Sequence, residues 1–117
     1  MGDNGFLAGV RHMGEVAVVD LSGDLDGSAE VLLNEAWDSL GDERIVALNF
    51  SEASYINSTG IALIVGLLGR ARVEKRAVRA FGLTDHYREI FDITRLSDFI
   101  DVHDNETEAT RATAVSG

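Results

Sequence analysis

Cysteine is absent from the 117-residue chain, which excludes disulfides, thiol nucleophiles and thiolate metal sites together. Proline is absent too, and no linker-like stretch divides the chain. Basic residues are scarce: ten Lys and Arg stand against twenty Asp and Glu, for a formal net charge of −10. That is the wrong sign for gripping phosphate backbones or anionic lipid, so neither nucleic acid nor membrane is an expected partner. An electrostatically favoured partner presents a basic face. Long apolar runs are also missing, since the longest, Ile61 to Leu68, falls far short of the roughly 20 residues of a membrane helix. The N-terminus MGDNGFLAGV lacks the basic start and continuous apolar core of a signal peptide. It has Phe6 where a myristoylation motif requires Ser or Thr. A soluble, cytoplasmic protein is the expectation, and the N-x-S/T matches at Asn57 and Asn105 then carry no meaning as glycosylation sites.

Familiar catalytic patterns are lacking as well. His12, His86 and His103 are scattered without ligand spacing. No G-x-S-x-G elbow, P-loop or G-x-G-x-x-G occurs. Asp24 and Asp26 form a D-x-D pair that reads as a solvated turn rather than a metal site. No enzymatic activity, metal or cofactor is therefore expected.

What is present is enough for one core: 45% of the residues are hydrophobic, and a chain of this length forms a single domain. The core is expected over about residues 6–103, with 104–117 a polar tail or short helix. FLAGVRH, residues 6–12, and EVAVVDL, residues 15–21, read as two strands joined by a hairpin at Met13-Gly14. SGDLDGS then reads as a polar turn. Val31, Leu32, Glu35, Ala36 and Leu40 recur at helical spacing, with Ser28 as cap and Gly41 as stop. RIVALNF, residues 44–50, has the near-continuous apolar character of a central strand covered on both faces. SEASYINSTG reads as a loop. IALIVGLLGRARV, residues 61–73, is apolar nearly all round and is expected to be a buried helix. Gly66 and Gly69 cost it about 1 kcal/mol each relative to Ala, which points to close approach to the sheet or a neighbouring helix. In such a helix, Asp at either Leu63 or Ile64 would unfold the domain. AVRAFGL, residues 77–83, is a strand, a helix opened by Thr84-Asp85 runs to Ile93, and FIDVH, residues 99–103, is a last short strand.

The order β-β-α-β-α-β-α-β-α specifies an α/β domain with a mixed, mostly parallel sheet of four to five strands packed by helices. Loops at the carboxyl ends of strands carry function in such folds. They are SGDLDGS and SEASYINSTG.

Read locally, Asn57-Ser58-Thr59-Gly60 is a capping sequence, with side-chain oxygens for the first amides of a helix. Together the two loops show more. DLSGDLDGSAEVL, followed by VALNFSEASYINSTGIALIVGLLGR and then IFDITRL, resembles the STAS domain of bacterial anti-sigma factor antagonists, the SpoIIAA and RsbV type. The resemblance runs from about Val16 to Val102. The motifs that carry it are Gly23-Asp24-Leu25-Asp26, Asn57-Ser58-Thr59-Gly60 and Ile90-Phe91-Asp92-Ile93-Thr94-Arg95-Leu96. Asn57 stands where that family usually has Asp, and Arg95 where it has Gly.

The resemblance implies a partner-switching regulator of transcription. Its partners would be an anti-sigma factor that is also a serine-protein kinase, and a phosphatase acting on the phosphorylated form. The phosphorylated residue would be Ser58, with Thr59 as second choice. Asp24, Asp26, Asn57, Thr59 and Gly60 would surround it at the docking face. A phosphoserine at a helix start meets free amides and the positive end of the dipole. Asp26, on the neighbouring loop, is expected to bond the Ser58 hydroxyl and to repel a phosphate placed there. Two other readings remain open: a phosphorylation-independent STAS scaffold, and a small-ligand carrier or enzyme using Asp24, Asp26 and Ser58.

Overall fold

Val46, Leu48 and Phe50 are buried on one side of their strand, and Ile45 and Ala47 on the other. That alternation gives a sheet with two covered faces. The computed structural model describes residues 5–111. Five strands lie in the order β1-β2-β3-β4-β5: β1 Leu7–Met13, β2 Val16–Leu25, β3 Ile45–Ile56, β4 Ala77–Phe81 and β5 Ile100–Val102. β1 is antiparallel to β2, and every other pairing is parallel. The β1-β2 hairpin turns at Gly14, whose φ of 71° is the left-handed conformation that glycine adopts without a Cβ penalty.

The helices are α1 Glu30–Asp38, α2 Ser58–Glu74, α3 Asp85–Ile93 and α4 Glu106–Ala109. Leu33, Ala36 and Trp37 of α1, Ile64, Leu67 and Ala71 of α2, and Phe91 of α3 share one core with Val19, Leu21, Val46, Leu48, Val78 and Ile100 of the sheet. Phe91 meets Phe50 edge to face, with ring centroids 5.8 Å apart, a favoured aromatic geometry. On the opposite face, Ala109 of α4 closes a smaller cluster of Val16, Val18, Ile45, Ala47 and Phe81. The expected element order is therefore found. Of the tail expected to be helical, only α4 lies in the described part, and 112–117 fall outside the described residues.

Several boundaries differ from expectation. β2 continues through Ser22–Leu25, and β3 through Ser51–Ile56, although both segments read as polar loops. Each satisfies the other's backbone groups, pairing Gly23 with Ala53 and Leu25 with Ile56 across two register shifts, so side-chain polarity did not end the strands. Ser28 does not cap α1. It lies in a 3-10 turn, Gly27–Ala29, that Asp26 caps, and α1 ends at Ser39 rather than Gly41. Val31 and Leu32 are exposed while Leu33 and Trp37 are buried, so the helix is rotated relative to the expected stripe. α2 is not buried all round: Val65 and Val73 are 51% and 82% exposed. Gly66 and Gly69 have nothing within 4 Å of where a Cβ would stand, so no close approach explains them. No described helix is long and apolar enough to cross a membrane.

α4 is tied to its face by charge. Arg11 of β1 bonds Asp20 of β2 at 2.7 and 2.9 Å and Glu106 of α4 at 2.9 and 3.0 Å, and Arg79 donates to the carbonyls of Ala109 and Arg111 at 2.9 and 2.6 Å. The Arg11 guanidinium holds the carboxyls of Asp20 and Glu106 below the usual range, against a smaller opposing effect of burial. Carboxyls depressed in the folded state contribute stability above their unfolded pKa of about 4, and lose it as the pH falls through the folded pKa. Urea midpoints measured from about pH 7 down to about pH 3 should fall in acid for the parent and fall less steeply for Arg11→Gln. Parallel curves would show that the network adds nothing to acid sensitivity.

Candidate functional site

β2 and β3 are neighbours, so their carboxyl ends emerge side by side and bring two sequence-distant loops together. Leu25 pairs with Ile56, and the Leu25 carbonyl accepts the Asn57 N–H at 3.3 Å. Asn57 is extended and caps α2, its side-chain oxygen accepting the Gly60 N–H at 2.8 Å, while its carbonyl accepts the Ile61 N–H at 2.9 Å. Gly60 is buried, and a Cβ there would overlap the Leu25 carbonyl oxygen. The start of α2 is thus seated directly on the end of β2, which only glycine permits.

On the other loop, Asp26 Oδ1 accepts the Ser28 N–H at 2.9 Å and the Ser28 hydroxyl at 2.6 Å. These bonds hold the Asp26 carboxyl below the usual range, so it is ionised at neutral pH. The expected bond from Ser58 to Asp26 is not formed. Ser28, two residues away, meets the carboxylate through a local turn that costs less ordering than a contact between loops. The loops do touch at Gly27, from which a Cβ would lie 3.5 Å from the Thr59 methyl. Asp24 is half-buried within β2, opposite Tyr55.

Ser58 is the first residue of α2 and is exposed, as is Thr59. Among the described residues the Ser58 hydroxyl has no hydrogen-bond partner, and neither do the amides of Ser58 and Thr59. The site therefore presents a hydroxyl and two unpaired N–H groups at the positive end of a long helix, beside an ionised carboxylate. Chemically it can accept a phosphoryl group and bond the resulting anion.

Tyr87 was not anticipated. Its hydroxyl accepts the Ile56 N–H at 3.0 Å and so anchors the end of β3 to α3. One tyrosine in an amphipathic helix carries no sequence signal for this contact. The third motif serves the core and the end of α3: Phe91 and Leu96 are buried, whereas Ile93 is 71% exposed. Arg95 follows the helix with φ 67°. Among the described residues no group of three or more His, Cys, Asp or Glu is arranged to hold a metal ion.

The family model described as "Mlab, STAS domain" matches residues 8–101. An anti-sigma-B factor antagonist of Listeria monocytogenes is 29% identical over 90 residues, covering 75% of this chain and 79% of the relative. Among solved structures, an anti-sigma factor antagonist from Mycobacterium paratuberculosis superposes with a TM-score of 0.77 at 15% identity, covering 92% of this chain and 93% of the other. The Bacillus cell fate determinant SpoIIAA in its phosphorylated form superposes with a TM-score of 0.62 at 19% identity, covering 90% of this chain and 96% of that one.

Proposed function

Starting from a chain that belongs to the STAS domain family, we propose that it acts as an anti-sigma factor antagonist working by partner switching. Unmodified, it docks on an anti-sigma factor that is also a serine kinase. The kinase moves the γ-phosphoryl group of ATP to the Ser58 oxygen, whose proton leaves to a base of the kinase, and ADP departs. The modified protein is released, and a phosphatase restores binding by hydrolysis. The observation that carries this reading is the exposed, unpartnered Ser58 hydroxyl at the first residue of α2.

Phosphorylation would act on the surface rather than on the interior. A phosphate on Ser58 adds about −1.5 to −2 charges where the Ser58 and Thr59 amides are available to bond it, so the fold survives. The docking face is changed much more. Bulk and charge enter a surface that already carries the ionised Asp26, and burying them against a partner incurs like-charge and desolvation penalties.

Ser58→Ala should stay folded, because Asn57 and not Ser58 supplies the cap. It should bind the kinase as tightly as the parent and become insensitive to ATP. Ser58→Asp should lose affinity by about 1.5 kcal/mol or more, read by titration calorimetry. If both variants bind like the parent while ATP still releases the partner, Ser58 is not the switch and Thr59 is tested next.

Asn57 favours a second reading, a scaffold that binds its partner constitutively, because the residue immediately before the acceptor carries no carboxylate. Incubation with the kinase and ATP, followed by mass spectrometry, separates the two. Phosphate on Ser58, added faster in Asn57→Asp, supports the switch. Its absence from both proteins supports the scaffold.

A further inference from the structure

The outer side of α2 is not the polar surface that a solvent-facing helix usually presents. Val65 is 51% exposed there, and Phe99 beyond the end of α3 is 66% exposed. Between them lie two adjoining cavities of about 300 Å³ each, both lined by Leu68, Arg72 and Phe99. One extends past Val65 and Gly69 to Arg95 and Leu96, the other toward Arg76 and Val78. They form one trough along the C-terminal half of α2. At Gly69 nothing lies within 4 Å of a Cβ position, so the trough is open to an incoming side chain.

Its charge runs against that of the whole chain, whose net charge is −10: Arg72, Arg76 and Arg95 line it against one carboxylate, Asp101. Arg70 and Arg76 are paired with Asp38, Glu43 and Glu74, but Arg72 has no acidic partner among the described residues. Arg95 bonds Asp98 at 3.0 Å through Nε only, and its side chain remains 80% exposed. The Arg95 backbone is left-handed at φ 67°, a conformation that glycine adopts at lower cost. A side chain that strains the backbone and adds nothing to the core points to a role at the surface.

We propose that this trough docks an acidic amphipathic helix of a partner protein, with its apolar residues against Leu68 and Phe99 and its carboxylates on Arg72 and Arg95. A second copy of this chain fits less well, because a two-fold contact at the trough brings the same arginines toward each other. Val65 lies seven residues, or about 10 Å of helix rise, beyond Ser58. The site is therefore separate from the hydroxyl and does not depend on its phosphorylation.

The test uses the full chain, isotope-labelled for amide NMR, and a synthetic amphipathic helix with Leu and Phe on one face and Glu on its flanks. A control peptide carries Lys in place of Glu. Saturable shifts of the Val65, Leu68, Gly69, Leu96 and Phe99 amides are expected with the Glu peptide alone. Arg72→Gln and Arg95→Gly should each raise its Kd by on the order of tenfold, with Arg95→Gly melting no lower than the parent. Ser58→Ala should bind it with unchanged Kd. Equal binding of the Lys peptide, shifts confined to the Ser58 end, or unchanged affinity in both arginine variants would overturn the proposal. So would a concentration-dependent dimer in sedimentation that Phe99→Asp dissolves, which would assign the trough to self-association.

Discussion

Ile64→Asp is expected to abolish the folded state, while its neighbour Leu63→Asp remains folded. Ile64 is 1% exposed, in the core that α2 shares with the sheet. Removing its aliphatic side chain costs about 2–5 kcal/mol, as for other large-to-small core changes. The new carboxyl adds several kcal/mol more, because it is buried without a partner whether charged or protonated. Together these reach the roughly 5–15 kcal/mol that stabilises a typical domain. Leu63 is only partly buried at the margin of that core, where a carboxylate reaches water, so its replacement costs about 1–3 kcal/mol of lost burial. Far-UV circular dichroism and urea denaturation distinguish the two. A cooperatively folded Ile64→Asp would remove α2 from the core, and an unfolded Leu63→Asp would show that this position is more enclosed than the structure has it. The apolar run 61–68 made both residues look equivalent, and only the position of the sheet separates them.

Gly60→Ala should be strongly destabilising. Its Cβ would overlap the carbonyl oxygen of Leu25, a backbone atom that itself accepts the Asn57 N–H and has no rotamer by which to move away. Overpacking of this kind costs about 3 kcal/mol or more, which corresponds to a loss of roughly 10 °C or more in melting temperature. The strain falls where α2 meets β2, beside Ser58, so binding of the proposed anti-sigma partner should weaken even in molecules that remain folded. Gly66→Ala is the control: nothing surrounds its Cβ position, and helix propensity alone should stabilise it by up to about 1 kcal/mol. Thermal melts of the two variants beside the parent give the comparison. A Gly60→Ala protein as stable as the parent would mean that the helix start is free to shift.

Much of the fold was legible because its signals are local. The near-continuous apolar runs VAVV and IVAL mark strands covered on both faces, Thr84 accepts the Tyr87 N–H as a helix cap, and Asn57-Ser58 opens α2 where capping chemistry places it. What failed also has a common cause. The polar residues of SGDL and SEASYI conceal strands whose backbone groups are paired with each other, and pairing partners cannot be read from either segment alone. Asp26 was assigned to Ser58 across the loops, yet Ser28 takes it within two residues. Close approach was expected of Gly66 and Gly69, yet both are open, and it is Gly60 that is pressed against its neighbour.

The amino-acid order is sufficient for the absence of thiol chemistry, the acidic charge, the alternation of strands and helices, and a hydroxyl at a helix start. Each depends on composition or on interactions within a turn or two of chain. Packing was needed to bring the ends of β2 and β3 together, to press Gly60 against Leu25, to fasten Ile56 to Tyr87, and to leave one side of α2 uncovered. Those outcomes depend on where the rest of the sheet lies. A helix that is apolar all round buries only the faces that have neighbours.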